Sequence, residues 1–262
     1  MLSHSPHRQN TMAKSLRAKT ILITRPISRE KNLRHLIEQE GGKVIHYPVF
    51  SIQPPPELDI QQLLKLSEQL QNYTMAIFIS PTAVEQSQIY FPVLPEHYDI
   101  VSIGNKTTQA LEQQHINVTI EAADKNTESL LEDPAFQMPK IQGQRVLIFR
   151  GKGGRALLGD TLVKRGAQVR YVETYQREIP PVPPLDESCV ASLDAICISS
   201  NDGLDNLITL MEDPSTLIDT PVIVPSSRCV TLARQHGFKT IVAAKDATDE
   251  AAVAALKQHF IK

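Results

Sequence analysis

Short apolar runs alternate with amphipathic stretches along most of the chain, and the segment from Arg145 to Pro180 shows the unit most fully. Val146 to Phe149 is an apolar run rich in β-formers, followed by the basic glycine loop Arg150-Gly151-Lys152-Gly153-Gly154-Arg155. Leu157, Leu158, Leu162 and Val163 then recur at helical spacing, Gly166 stops that helix, and Val169 to Thr174 reads as the next strand. Strand, loop, helix, strand implies parallel pairing through a crossover helix. Lys19 to Phe50 repeats the unit, with Lys19 in the place of Arg145, Arg29 in that of Arg155, and Gly41 in that of Gly166 after a one-residue shift.

Further strands are predicted at Met75 to Ile79, Ile100 to Ile103, Val118 to Ile120, Ala195 to Ile198, Val222 to Val224 and Thr240 to Val242. Between them lie a helix with Leu58, Leu63, Leu64, Leu66 and Leu70 on its apolar side, a helix over Gln109 to Gln114, and a helix opened by Thr127 or Asn126 as N-cap. Residues 101–132 laid on 222–253 without a gap agree at nine of 32 positions, where chance gives about two. The chain therefore reads as a duplicated half, each copy with five strands.

That count fits an α/β protein of two doubly wound, parallel-sheet domains of flavodoxin-like type. Two proline-rich crossings, Ile52 to Pro56 and Pro180 to Pro184, suggest that the chain passes between domains twice. The simplest arrangement makes residues 19–52 and 182–262 one domain and 57–178 an inserted second, with 53–56 and 179–181 as linkers. A tandem split near residue 140 is the alternative. Residues 1–18 are basic, polar and without periodicity, and are expected to form a disordered tail.

Composition narrows the function. A chain of 262 residues that is 41% hydrophobic and 21% charged is an ordinary globular balance. No apolar run approaches the ~20 residues of a membrane span, and no apolar core of a secretory signal is present. A net charge of −2 argues against a nucleic-acid binder but permits a local anion site. Three cysteines, Cys189, Cys197 and Cys229, fit no metal framework and suit a reducing cytoplasmic setting.

Ligands of open parallel sheets bind beyond the carboxyl ends of strands. Those ends here carry Ser80 and Thr82; Gly104, Asn105, Lys106 and Thr107; Arg150 and Gly151; Ser199, Ser200 and Asn201; and Ser226, Ser227 and Arg228. Thr127 and Thr248 open later helices. Hydroxyls and free N–H groups at helix starts make anion sites, although the same residues serve as simple caps. Two such faces opposed across a cleft would suit a large, multiply anionic ligand. The glycine loop has neither Walker nor dinucleotide spacing. His115 and His236 occupy matched positions late in helices, as partners of the helix dipole. Tyr175 is read at a strand end before the second crossing, with its hydroxyl free to donate; Phe50 takes its place in the other copy.

The order and spacing of ILITRP (Ile21 to Pro26, containing Arg25), FISPTAVE (Phe78 to Glu85), SIGNKTTQAL (Ser102 to Leu111), RVLIFRGKGGR, ETYQRE (Glu173 to Glu178) and ISSNDGLDNL (Ile198 to Leu207) resemble the uroporphyrinogen-III synthase family over about residues 19–258. The resemblance implies two α/β domains joined by a two-stranded linker, and a monomer. It implies cyclisation of the linear tetrapyrrole hydroxymethylbilane with inversion of its last ring, without metal or cofactor. It also implies a role for Tyr175 in departure of the terminal hydroxyl, and for Thr107 as the polar position after Gly-Asn. Arg25, with the strand-end residues above, would meet the substrate carboxylates. A transient contact with the enzyme that makes the unstable bilane is expected. A non-enzymatic two-lobed anion-binding or sensory protein is the competing expectation.

Overall fold

The computed structural model describes residues 15–124 and 126–261. The tail expected at 1–18 lies mostly outside the described residues. At 15–18 it is corrected, because Leu16 is fully buried and its N–H bonds the Glu40 carbonyl at 3.0 Å.

In chain order the strands are β1 (Thr20–Ile23), β2 (Lys43–His46), β3 (Ser51–Gln53), β4 (Met75–Phe78), β5 (Asp99–Ser102), β6 (Ile120–Glu121), β7 (Arg145–Gly151), β8 (Gln168–Glu178), β9 (Ala195–Cys197), β10 (Val222–Val224) and β11 (Ile241–Ala243). The helices are α1 (Lys31–Gln39), α2 (Glu57–Ser67), α3 (Pro81–Ser87), α4 (Asn105–Gln113), α5 (Thr127–Glu132), α6 (Leu157–Lys164), α7 (Glu187–Ala191), α8 (Asn201–Leu210), α9 (Ser227–Gln235) and α10 (Asp249–Phe260).

The described residues divide into two compact units, one running up to Ser51 and resuming at Glu178, the other Ile52–Arg177. In the first, β2-β1-β9-β10-β11 form a parallel sheet. Alternation along its strands sends Leu22, Ile196, Val222 and Val224 to one face, where α8 and α9 bury Leu204, Leu207, Cys229 and Ala233. Ile21, Ile23, Ala195 and Ile223 go to the other face, under Leu33 and Ile37 of α1 and Val253 and Leu256 of α10. Strands buried on both faces explain the near-continuous apolar runs in the sequence.

The second unit is built alike. Its sheet runs β3-β8-β7-β4-β5-β6, with the β8-β7-β4-β5-β6 portion parallel. Ala76, Phe78, Leu147 and Phe149 face α2, α3 and α4, with Phe78 stacked on Phe149 at 4.5 Å. Met75, Ile77, Val146 and Ile148 face α5 and α6. With β7 and β8 counted first and second and β3 left aside at the edge, the parallel portion of the second sheet has the same order as the first, 2-1-3-4-5. Each unit thus takes its first two strands from one sequence repeat and its last three from the other.

Local expectations needed correction where neighbouring leucines were grouped on one side. Leu63 and Leu66 of α2 are buried, but Leu58 and Leu64 are 67% and 51% exposed. In α6, Leu158 and Leu162 are buried while Leu157 and Val163 face outward. A helix can bury only one stripe, and adjacent residues lie about 100° apart around it. β3 falls where a proline-rich connector was expected, and α4 begins at Asn105 rather than Gln109.

Candidate functional site

Strand order reverses between β1 and β9 in the first unit and between β7 and β4 in the second. Such switch points leave a crevice beyond the carboxyl ends of the strands. Of the polar residues singled out from sequence, Thr127 and Arg150 line the pocket at the second corner, and Arg25, Ser199 and Thr248 line the space at the first.

In the second unit, β7 continues through Arg150 and Gly151, which were expected to be loop. A register shift follows: Arg150 pairs with Glu173, but Gly151 pairs with Tyr175. This bulge skips Thr174 and re-aims the strand. Regular alternation would place Val172 and Tyr175 on opposite faces, yet both lie in the cluster that contains Phe78 and Phe149. Tyr175 therefore sits within β8, not at its end, and is only 2% exposed. Its hydroxyl lies 3.4 Å from Ser80 Oγ, so the free hydroxyl expected from sequence has a partner. Ser80 in turn caps α3 by accepting from the Ala83 N–H at 3.1 Å. Gly151 is explained by this ring: a Cβ there would lie 2.7 Å from two of its carbons.

The charges of the glycine loop are matched internally. Arg150 donates from Nε and Nη2 to Glu173 Oε1 at 3.1 and 2.8 Å, and its guanidinium lies 3.8 Å from the centroid of the Tyr171 ring. Lys152 pairs with Asp59 and Arg155 with Glu128. A pocket of about 330 Å³ opens beside them, floored by Ile79, Ile103, Ile148 and Leu158 and bounded by Thr127, Arg150, Arg155 and Glu128. Asn126, rather than Thr127, caps α5, accepting from the Ser129 N–H at 2.7 Å. Glu128 is held below the usual carboxylate range by the hydrogen bond from Arg155. Sequence reasoning missed the floor, although Ile79 and Ile103 each follow a strand directly, where the other copy has Ser199 and Pro225.

Gly104 stands at the cap of α4 with φ 97°, a backbone state that favours glycine. Asn105 and Lys106 follow, exposed, and Lys106 has no acidic partner among the described residues. Thr107 is 2% exposed, so the hydroxyl expected to meet substrate is buried in the helix packing. Thr82 is half-buried in the first turn of α3.

The corresponding corner of the first unit is closed. Arg25 Nη2 lies 2.6 Å from Asp249 Oδ1, with side-chain exposures of 17% and 7%. The contact is close but not aligned as a hydrogen bond, and Arg25 Nε has no partner. Asn32 donates to the other Asp249 oxygen at 2.7 Å. Arg25, expected to meet an anionic ligand, is thus tied to the first turn of α10. The space among Arg25, Ser199, Pro225 and Thr248 shrinks to about 10 Å³, about that of one water. Ser200, Ser226 and Thr248 cap α8, α9 and α10, accepting from Gly203, Cys229 and Ala251 N–H groups. Ser199 and Asn201 are half-buried; Ser227 and Arg228 are exposed, and Arg228 has no acidic partner among the described residues.

Burial raises the Cys197 thiol to about 12 and the Cys229 thiol to about 11, so both are inert core. Among the described residues no cluster of His, Cys, Asp and Glu could hold a metal ion, and no helix is long and apolar enough to cross a membrane.

Two three-layered parallel units with polar strand ends define a class of fold; comparison with known proteins identifies the family. The family model for uroporphyrinogen-III synthase HemD matches residues 31–254. The uroporphyrinogen-III synthase of Escherichia coli (strain K12) is 30% identical over 255 residues, covering 91% of this chain and 100% of its own length. That of Proteus mirabilis is 32% identical over 164 residues, covering 60% and 80%. Among solved structures, a mutant uroporphyrinogen III synthase from the extremely thermophilic bacterium Thermus thermophilus superposes with a TM-score of 0.58 at 15% identity, covering 92% of this chain and 98% of its own. The Helicobacter pylori 26695 protein gives 0.58 at 14%, covering 92% and 99%. This chain belongs to the uroporphyrinogen-III synthase family, enzymes of tetrapyrrole biosynthesis.

Proposed function

We propose that this chain converts hydroxymethylbilane to uroporphyrinogen III and water, inverting the last ring as the macrocycle closes. The substrate carries eight carboxylates. The observation that carries the reading, beside family membership, is a pair of cations at matched places. Lys106 and Arg228 are each the second residue of a nine-residue helix, α4 in one unit and α9 in the other, and both lack acidic partners among the described residues. A cation there opposes the helix dipole. An anionic ligand turns that liability into binding.

In the proposed chemistry the terminal C–O bond breaks, water departs, and the electron-poor azafulvene is attacked by the substituted carbon of the last ring. A spiro intermediate then fragments and recloses. The reaction balances without oxidant or reductant. Tyr175 donates its hydroxyl proton to the departing oxygen, and the proton lost from the free carbon of the last ring as the macrocycle closes restores it. Support comes from the bulge that delivers Tyr175 to Ser80, since bulges often re-aim side chains beside reacting groups. Holding the bilane curled, so that enzymic closure outruns the spontaneous unrearranged one, supplies the rest. Ser80, Thr82, Gly104, Asn105, Thr127, Ser200, Asn201, Ser226 and Ser227 contribute backbone N–H groups and hydroxyls around the carboxylates, while Ser199 and Thr248 line the closed corner.

We further read both units as flavodoxin-like domains, 19–52 with 182–262 and 57–178, acting as a cytoplasmic monomer. The pairing of β3 with β8, and the 3.3 Å bond from the Ser51 hydroxyl to the Glu178 carbonyl, support a two-stranded linker. The expected product from bilane generated in situ is the type III isomer; type I alone overturns the reading. Lys106→Ala and Arg228→Ala should each raise KM about fivefold, while thermal stability holds or rises. An unchanged KM in both would assign recognition to backbone amides.

A further inference from the structure

The open corner of the second unit joins an apolar floor to a charged mouth. Its floor of Ile79, Ile103, Ile148 and Leu158 is apolar, and Ile79 stays 36% exposed although it follows a core strand directly. Such a floor is costly to leave wet. One wall is an arginine held over an aromatic ring: the Arg150 guanidinium lies 3.8 Å from the Tyr171 centroid, fixed by two bonds to Glu173, and the Tyr171 hydroxyl donates to the Ala156 carbonyl. The Arg150 charge is already matched, so this wall offers a packed arginine–tyrosine surface rather than a free cation.

The mouth differs. Arg155 and Glu128 meet across it at 2.8 Å, with side chains 74% and 52% exposed. An ion pair so exposed is weak, and a released Glu128 returns to water at little cost. Arg155 presents a fork that fits a carboxylate. The volume, about 330 Å³, lies at the small end of ligand pockets. It suits one heteroaromatic ring with its arms and is far too small for a whole tetrapyrrole.

We propose that this pocket receives one pyrrole ring of the substrate, and that a carboxylate arm of that ring takes Arg155 from Glu128. The inference rests on the tetrapyrrole reading above. Glu128 then acts as a selectivity element. A ring without an anionic arm has nothing to offer Arg155 in exchange and leaves the pair across the mouth. A ring with one gains the arginine while its flat face covers the apolar floor.

The probe is an aminomethylpyrrole carrying one acetate and one propionate arm, with its dimethyl ester as the uncharged control. Binding is followed through the isoleucine methyl NMR signals of the full chain. Glu128→Gln should bind the diacid up to about fivefold more tightly, and Arg155→Gln about fivefold more weakly with loss of preference over the ester. Both side chains are exposed, so the variants should fold, and unchanged methyl spectra without ligand confirm it. Equal affinity in all three proteins, or shifts that spare Ile79, Ile103 and Ile148, overturns the proposal. The isomer assay separates the two readings. Type III product from a protein that does not bind the diacid overturns the pocket and leaves the activity standing. Type I product alone overturns the activity on which the pocket rests.

Discussion

At the carboxyl end of β1, Arg25 turns inward onto Asp249 and closes its corner to about 10 Å³. At the matching end of β7, Arg150 lies along Tyr171 and Glu173, and about 330 Å³ stays open beside it. The partner carboxylate decides the outcome. Asp249 is the first residue of α10 and comes across the sheet end, so the arginine is drawn over the crevice. Glu173 is on β8, the next strand of the same sheet and directly opposite Arg150, so Arg150 stays beside its own strand and over Tyr171. Two units of one strand order thus use the same basic position as a clasp in one case and as a wall in the other. The two units share a strand order and differ at this corner.

The sharpest way to break this comparison is to remove each carboxylate. Asp249→Ala leaves Arg25, 17% exposed, without its counter-charge. Breaking a buried pair from one side costs about 3 kcal/mol. Glu173, 29% exposed, should cost about 1 kcal/mol at most when replaced by alanine. Urea unfolding followed with probes in each unit should show the first unit weakened strongly by Asp249→Ala and the second little changed by Glu173→Ala. Equal losses would mean that the two arginines play one structural role.

A nearly equal effect is expected on turnover. Phe50 is the counterpart of Tyr175 in the sequence repeat and lacks its hydroxyl. Tyr175→Phe should lower kcat about 100-fold with KM little changed. Adding Phe50→Tyr should not restore it, because that ring packs, partly buried, against the core cluster of the first unit rather than beside Ser80. Recovery in the double variant, or near-normal kcat in Tyr175→Phe, would remove the asymmetry from the chemistry.

Why these features differed in legibility is physical. Strands buried on both faces write themselves as apolar runs, and β4, β7, β9 and β10 fall where such runs lie. Caps were readable too, since Ser80, Ser200, Ser226 and Thr248 each accept from the N–H three residues on. Three things left no local mark. The bulge at Gly151 depends on pairing between strands, and shifts Tyr175 to the other face without changing its neighbours in sequence. The partners of Arg25 and Arg150 are set by tertiary approach, so both arginines read as free cations. The pocket floor comes from four separate segments, and its residues look like ordinary core. Thr107 misled in the opposite sense: a polar residue after Gly-Asn looked presented, yet it faces inward on α4.

The mildest test uses pH and follows from where the cysteines lie. Cys189, Cys197 and Cys229 all belong to the first unit, and none falls in Ile52–Arg177. Burial is the main cause that raises the Cys197 thiol to about 12 and the Cys229 thiol to about 11, from 9.0. A raised thiol pKa means that the folded protein holds its proton where the unfolded chain has lost it. The unfolded state then binds fewer protons, so stability falls as pH rises. The contribution is intact below the unfolded value near 9 and is lost progressively between 9 and the folded values. Each thiol should remove about 1 kcal/mol per pH unit within that window. Unfolding of the first unit should therefore weaken more steeply than that of the second between about pH 9 and 10.5. Cys229→Ala should flatten the slope by one proton. Parallel slopes for the two units, or no change in Cys229→Ala, would show that other groups govern the alkaline limit.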